Sequence, residues 1–230
     1  MAGKISPKDP TGRTVQLSRV RLSFAESLQE ARVPKDSAPG TEPKHGANIL
    51  IEKGGKYPDD FASNVQAVKQ ALAAACREFK RPEDWWKTLF EDSPKECAFR
   101  KGTRYKKSDG AIYDGYEEAL VIAAKGPRGG REGFRPKIMD RYKRDVEVKD
   151  INAVAYNGTY ADVIVSFYGT KNGGTPRISA SIEAIRSHQE GDRLGGGGVE
   201  VSSDDFDDLE DDDFAGAGGS VSSSDDDLLG

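Results

Sequence analysis

The chain has 230 residues, of which 32% are charged, and its mean hydropathy is −0.67. This length fits one domain with appendages, and enough apolar residues remain for one core of modest size. No apolar run is long enough to span a bilayer, and residues 1–13 lack the apolar stretch of a signal peptide. We therefore predict a cytoplasmic protein (in the bacterial host cell, if it is phage-encoded) that does not associate with a membrane.

The formal net charge of −5 averages two regions of opposite sign. Residues 200–230 hold twelve carboxylate side chains and no Lys or Arg, which leaves 34 basic and 27 acidic side chains in residues 1–199. A body of net charge +7 followed by a tail of −12 indicates a basic binding surface and an acidic arm.

The residues that commonly carry metal or catalytic chemistry are few and scattered. Cys76, Cys97, His45 and His188 form neither a CxxC nor an HxxxH pattern, and two isolated cysteines are most simply buried, reduced thiols. The aspartate clusters lie in the acidic arm, where the rigid geometry that Mg²⁺ requires is not available. We predict a protein that is not an enzyme and has no metal or cofactor.

The first half of the chain contains two strands and a helical insertion. After a flexible N-terminus (1–13), residues 14–24 alternate as a half-buried strand, residues 26–46 form a long loop, and residues 47–52 form a buried strand. Residues 59–79 form a helix that Asp59 or Asp60 caps, within an insertion over residues 58–92. One face of this helix carries Phe61, Val65, Val68, Leu72, Cys76 and Phe79. Pro82 begins a second, short helix through Phe90.

The elements predicted in the second half are strands. Residues 98–105, 116–125 and 134–139 are predicted as strands, and residues 126–133 form a loop rich in glycine and arginine. In residues 160–168 Ala161, Val163, Val165 and Phe167 share one face, and a turn at Asn172, Gly173 and Gly174 leads to a partner strand over residues 178–185. This final hairpin is the strongest strand prediction in the chain.

The stretch from Cys97 to Arg144 combines positive charge with aromatic rings. It holds thirteen Lys and Arg against six Asp and Glu, with six Phe and Tyr between them. Cations can track a phosphate backbone, and aromatic faces can stack on unpaired bases of any identity. Ordinary strand aromatics beside a solvated charged face would give a similar pattern, so that interpretation stays open.

The chain ends in a glycine-rich linker (191–199) and an acidic tail (200–230), which we expect to be disordered. Two acidic runs each lead into apolar residues, which we interpret as anchors for a protein partner. The predicted partner-binding residues of the tail are Phe206, Phe214, Asp225, Asp226, Asp227, Leu228 and Leu229. A tail that serves only solubility is the alternative.

A family resemblance covers most of residues 14–230. The segments "FRKGTRY…YDGY", "NGTYADVIVSFYG" and "ISASIEAIRSHQEGDRLGGGG" resemble, in their order, the OB-fold single-stranded DNA-binding proteins of tailed bacteriophages. The resemblance implies a five-stranded OB-like barrel over residues 14–190 and a core that sheathes single strands in replication and recombination. It also implies an acidic tail that recruits replication or recombination proteins and competes with DNA. Many such tails end in an aromatic residue, whereas this chain ends in Leu228, Leu229 and Gly230.

We therefore predict a mainly β protein with a helical insertion that binds single-stranded DNA with little base preference. The predicted cations are Arg100, Lys101, Arg104, Lys106, Lys107, Arg128, Arg131 and Arg135, and the candidate stacking rings are Phe99, Tyr105, Tyr113 and Phe134. Phe99 and Tyr105 share a strand face, so both belong to the core if that face points inward. A Mg²⁺-dependent nucleic-acid enzyme, an RNA-binding protein and an interaction scaffold remain alternatives, and the oligomeric state is open.

Overall fold

The structure is a computed structural model. It describes residues 3–33, 40–126 and 135–195. The strands within these ranges are β1 (Lys4–Ile5), β2 (Thr14–Ser23), β3 (Gly46–Glu52), β4 (Phe99–Lys101), β5 (Ala119–Lys125), β6 (Lys137–Met139), β7 (Tyr160–Asn172) and β8 (Thr175–Gln189). The α-helices are α1 (Phe61–Glu78), α2 (Trp85–Asp92) and α3 (Ile151–Val154).

Five of the strands form a ring. β2 pairs antiparallel with β3 and β7, β3 pairs with β5, and β7 pairs with β8. β8 meets β5 in parallel through a single residue pair, Lys125 with Ser181, so the ring is only just closed. A five-stranded, partly open ring is the architecture of OB-folds. The predicted mainly β fold with a helical insertion is confirmed, as a ring of five strands rather than a clear barrel.

The helical insertion packs on the ring through one face of α1. Val65, Val68, Leu72 and Cys76 are buried as the periodicity predicts, and small alanines between them let the helix approach the sheet. Asp60 stands at the N-cap position of this helix, as predicted, but its side chain makes no capping hydrogen bond. The carboxylate of Asp60 instead accepts two hydrogen bonds, of 2.5 and 2.8 Å, from the guanidinium of Arg19 on β2.

A bulge in β2, which the alternation did not predict, brings Arg19 to that position. Pairing with β7 shifts between Leu17 and Val20, and Arg19 adopts a left-handed conformation (φ 50°). The buried amide of Asn64 on α1 accepts a 3.0 Å hydrogen bond from the Ser18 N–H and donates one of 2.8 Å to its carbonyl. These bonds satisfy backbone groups that the bulge removes from the ladder.

The final hairpin is confirmed and is longer than predicted. Ala161, Val163, Val165 and Phe167 are all buried, and Gly173 and Gly174 form the turn with positive φ angles of 55° and 86°. Other strands are shorter than predicted. β4 ends at Lys101, because a turn begins at Gly102, where a Cβ atom would lie 1.9 Å from the carbonyl oxygen of Tyr116.

Both tryptophans and both cysteines pack in the core or at its rim. Trp86 is buried and Trp85 packs at the rim of the core beside Phe79. Cys76 and Cys97 are free, buried thiols, and burial raises the pKa of each to about 11. Within the described ranges, none of the helices is both long and apolar enough to cross a bilayer.

Candidate nucleic-acid interface

β3 and β5 have one face towards the core and an outer face. The β4–β5 connection covers the outer face in part. Ala47, Ile49 and Ile51 of β3 belong to the main core, whereas Leu50 belongs to a second apolar cluster outside the ring. On β5 the same alternation places Ala119 and Val121 in the second cluster. The outer face of β3 and β5 thus carries Gly46, Asn48, Leu50, Glu52, Ala119, Val121, Ala123 and Lys125.

The connection between β4 and β5 folds back onto this outer face as a small hairpin. The Tyr113 N–H donates to the Tyr105 carbonyl at 3.2 Å, and the Lys107 N–H donates to the Ala111 carbonyl at 2.7 Å. Gly110 takes the positive φ of 87° that the turn requires. The hairpin is polar at its tip and aromatic at its base, so the base packs on the sheet and the tip faces solvent.

Four rings, which we call the aromatic patch (Phe24, Tyr105, Tyr113 and Tyr116), meet where this hairpin reaches the end of β2. Ring centroids lie 5.1 Å apart for Tyr105 and Tyr116, 6.0 Å for Tyr113 and Tyr116, and 5.2 Å for Phe24 and Tyr113. Phe24 is 42% exposed and has a positive φ of 50°. An exposed ring held in a strained backbone conformation is a feature of functional sites. Phe24 is the most exposed ring of the patch, and Tyr113, in contact with it, is partly exposed.

Tyr116 supports the other rings from below. Its side chain is fully buried, and its hydroxyl accepts a 2.9 Å hydrogen bond from the amide of Asn48 on β3. Burial raises the pKa of Tyr116 to about 12, so the hydroxyl stays neutral at physiological pH. The patch therefore rests on an uncharged, hydrogen-bonded base.

Three cations lie together at the opposite end of the same outer face, and we call Lys44, Lys125 and Arg177 the cation cluster. Lys125 pairs with Gly46 on β3, two residues after Lys44, and the Gly126 N–H donates to the His45 carbonyl at 2.6 Å. Lys125 also meets β8 at Ser181, near Arg177. The pKa of Lys125 is lowered by burial first, and then by the charges of Lys44 and Arg177.

The aromatic patch and the cation cluster are separated by a short and shallow path. Val121, beneath the patch, and Lys125 are four positions apart on β5, which corresponds to about 13 Å along a strand. Between them the outer face carries only small or hydrogen-bonded side chains, those of Gly46, Asn48 and Ala123. Among the residues that the structure describes, β3 and β5 therefore place no large side chain on the outer face between the patch and the cluster.

The structure corrects one predicted stacking residue and qualifies another. Phe99 is only 1% exposed and packs in the core at 5.3 Å from Phe90, so the prediction that it stacks on a base is wrong. Its strand face points inward, which the alternation alone could not decide. Tyr105 is half-buried against the second apolar cluster, with its ring 5.1 Å from that of Tyr116 and its hydroxyl buried, so it packs within the patch.

Several predicted cations have partners within the protein. The guanidinium of Arg100 donates to the Cys97 carbonyl at 2.7 Å, and that of Arg135 donates to the carbonyls of Leu28 and Gln29 at 3.0 and 2.6 Å. Both arginines therefore fasten backbone segments together, which corrects their assignment as free phosphate ligands.

The three predicted lysines differ in their surroundings. Lys101 pairs with Glu91 at 2.7 Å, and Lys107 pairs with Asp114 at 3.0 Å, which raises the pKa of Lys107. The side chains of Lys106 and of Arg104 are exposed and make no ion pair with any residue that the structure describes.

The other predicted site residues lie outside the described residues. They are Arg128, Arg131 and Phe134 of the glycine-rich loop, and Phe206, Phe214, Asp225, Asp226, Asp227, Leu228 and Leu229 of the tail.

Four residues of this surface were absent from the predicted site. Phe24 ends an alternating strand pattern that would place it in the core with Leu22, but it has a positive φ and its ring is exposed. Lys44 lies in a proline-rich loop, while Lys125 and Arg177 are 52 positions apart in sequence and meet only through the parallel closure of the ring. No local sequence signal marks such a cluster. Nothing among the described side chains forms a group of His, Cys, Asp and Glu that could hold a metal ion.

Comparison with known proteins places this chain among phage proteins. Residues 13–215 match the family model described as "Enterobacter phage Enc34, ssDNA-binding protein". Protein p50 of Acyrthosiphon pisum secondary endosymbiont phage 1 is 29% identical over 203 residues, which cover 85% of this chain and 93% of p50.

Two solved structures of the Enc34 single-stranded DNA-binding protein share the fold. The one in complex with single-stranded DNA superposes with a TM-score of 0.59 at 18% identity, and covers 80% of this chain and 90% of its own. A second structure of that protein gives a TM-score of 0.56 at 17% identity, and covers 84% of this chain and 89% of its own.

We predict that Lys125→Gln and Arg135→Gln change stability in opposite directions. Because the folded-state pKa of Lys125 is lowered, its charge opposes folding at neutral pH, and this cost disappears as pH rises through the folded pKa towards the unfolded value. Removing the charge should leave the thermal midpoint at pH 7 unchanged or slightly higher. Arg135→Gln leaves two carbonyl groups without their donor and should cost about 1–3 kcal/mol.

Thermal unfolding of both variants beside the parent chain measures this difference. An equal loss of stability in both would show that Lys125, like Arg135, has a structural role. That result would contradict the assignment of Lys125 to the interface.

Proposed function

This chain belongs to the family of the single-stranded DNA-binding protein of Enterobacter phage Enc34, and we propose that it binds single-stranded DNA along the outer face of β3 and β5. Binding of single strands, without catalysis, is the function that names this family. We further propose that the chain covers single strands with little base preference during phage DNA replication or recombination.

The observation that carries this proposal is the presence of two complementary features on one sheet face. The aromatic patch lies at one end, over Val121, and the cation cluster lies at the other, around Lys125, about 13 Å further along β5. In an OB-fold the face of the second and third strands and the adjoining loops hold the oligonucleotide. β3 and β5 are the second and third strands of this ring in chain order, and Lys44 belongs to the loop that joins β2 to β3.

The aromatic patch supplies stacking. Phe24 and Tyr113 meet edge to face, with an interplanar angle of 79°, so the two rings form the walls of a notch rather than a flat platform. A nucleobase in this notch would lie against one ring face and contact the edge of the other. Stacking of this kind is tolerant of base identity, because every base has a π-face.

The cations supply phosphate contacts. Arg104 and Lys106 flank the aromatic patch, and neither side chain is paired with a carboxylate that the structure describes. At the other end, mutual repulsion within the cation cluster is relieved when a phosphate enters it. Arg177 has one carboxylate neighbour, Glu96 at 2.8 Å, which neutralises the cluster only in part.

We predict that stacking and charge variants have different signatures in a titration with oligothymidylate. Phe24→Ala should weaken binding by about 1–3 kcal/mol and leave the salt dependence unchanged, because it removes a stacking ring. Lys44→Gln with Lys125→Gln should reduce the log–log salt slope by about 0.7 for each phosphate that the variant no longer neutralises. Titrations at several salt concentrations measure the affinity and the salt slope of each variant. Duplex DNA and RNA of equal length are titrated in parallel.

Matched controls lie away from the proposed face. Tyr142→Ala removes a ring that is 68% exposed on the turn after β6, and Lys69→Gln with Lys87→Gln removes two charges from the exposed sides of α1 and α2. If these controls weakened binding as much as the interface variants did, or if a duplex bound as tightly as the single strand, the proposed face would be wrong.

We also propose that the acidic tail binds a replication or recombination protein and competes with DNA. The support is the charge distribution, with −12 in residues 200–230 against +7 in residues 1–199. A flexible tether keeps a tail at an effective concentration in the millimolar range near its own body. The two acidic runs that lead into Phe214 and into Leu228 and Leu229 would supply the partner with charge and an apolar anchor.

Deletion of residues 199–230 should therefore tighten binding of single-stranded DNA, most clearly at low salt. The ratio of full-length to truncated dissociation constants should exceed one at low salt and approach one above about 0.1 M, where the screening length falls below about 10 Å. A chain whose twelve tail carboxylates are replaced by amides controls for tail length. A ratio of one at every salt concentration would mean that the tail does not compete.

A further inference from the structure

The segment that leads from β8 to the acidic tail is bound to the body at the aromatic patch. We call residues 191–195 the strap. The hydroxyl of Tyr156 donates a 3.0 Å hydrogen bond to the Gly191 carbonyl, and Arg21 donates one of 2.8 Å to the Asp192 carbonyl. The Leu194 N–H donates to the Asn157 carbonyl at 3.1 Å. The predicted flexible linker thus begins with five residues that have defined contacts.

The strap ends with its one apolar side chain in the notch of the aromatic patch. Leu194 packs against the second apolar cluster beside Tyr113, and it lines a cleft of about 130 Å³ together with Phe24 and Tyr116. The absence of a side chain at Gly115 permits this approach, because a Cβ atom there would lie 3.1 Å from Leu194 Cδ2. The cleft is therefore only partly filled, by a side chain that belongs to the connection rather than to the ring.

We propose that this cleft is a nucleobase slot that Leu194 occupies in the DNA-free protein, and that an entering base displaces the strap. The inference rests on the proposed function, since it assigns one subsite of the same interface. Burial of one leucine and stacking of one base are worth similar free energies, so exchange between the two occupants is feasible. The strap contributes few hydrogen bonds, and Asp192, Arg193 and Gly195 are exposed.

The exchange would couple the slot to the acidic tail through the chain itself. Glu200, the first tail carboxylate, follows Gly195 by five residues, so the strap is the segment to which the tail is attached. A base in the slot would displace this segment and so lengthen the free tether of the tail. Loading of DNA and release of the strap would then be one event, because the same cleft cannot hold both occupants.

Two substitutions of Leu194 in the full-length chain test the slot, because they predict opposite effects. Leu194→Ala removes most contacts of this side chain with the cleft, so it should tighten binding of oligothymidylate by about two- to tenfold. Leu194→Trp places a larger side chain in the cleft, where it can stack on the rings, and should weaken binding of oligothymidylate. Asp192→Asn, on the same strap but with its carbonyl bond intact, should match the parent chain apart from a small charge effect. A merely structural role for Leu194 would make both Leu194 variants bind more weakly.

Hydrogen exchange of the parent chain provides a readout that does not depend on a variant. Addition of oligothymidylate should speed exchange at the Leu194 amide, because its bond to the Asn157 carbonyl opens. Slower exchange there, or Leu194→Ala binding no tighter than the parent, would overturn the inference. The proposed function fails separately, if Phe24→Ala and the Lys44 and Lys125 variants leave binding unchanged.

Discussion

The packing of Tyr116 against the outside of the ring is the interaction on which the candidate interface depends. The side chain is fully buried on Leu50 and bonded to Asn48, both on β3. This packing fastens the β4–β5 connection to the sheet, and the connection in turn carries Tyr113, Arg104 and Lys106 to their positions. The backbone at Gly102 passes so close to the Tyr116 carbonyl that any side chain there would force the two apart.

The same sheet face carries a local cost in stability. Burial lowers the pKa of Lys125 first, and the charges of Lys44 and Arg177 lower it further, so this surface holds cations that repel one another. Arg19, in contrast, is matched by Asp60, and Arg186 is paired with Asp162. Arg19 and Arg186 thus have carboxylate partners. Within the described ranges, the one carboxylate paired with the cation cluster is Glu96, which bonds Arg177, and we attribute this excess of positive charge to an anionic ligand.

The sequence predicted the elements whose pattern is local. The final hairpin and helix α1 follow from strict periodicities, because each side of a strand or helix meets a uniformly apolar or polar environment. Phe99 was misassigned because alternation shows that two residues share a face, but not which face is the core. Arg135 was misassigned because its partners, the carbonyls of Leu28 and Gln29, lie more than 100 positions away. The cation cluster depends on the parallel closure of the ring, which no local pattern predicts.

Ultraviolet cross-linking of oligothymidylate to the full-length chain, followed by mass spectrometric mapping, tests the central claim most directly. Zero-length cross-links form only at residues that a base contacts, and aromatic rings are among the side chains that react. The account predicts cross-links at Phe24 and Tyr113, on the outer face of β3 and β5. Cross-links confined to Tyr142 or to Tyr168, with Phe24 and Tyr113 unmodified, would contradict it and place the DNA on another surface.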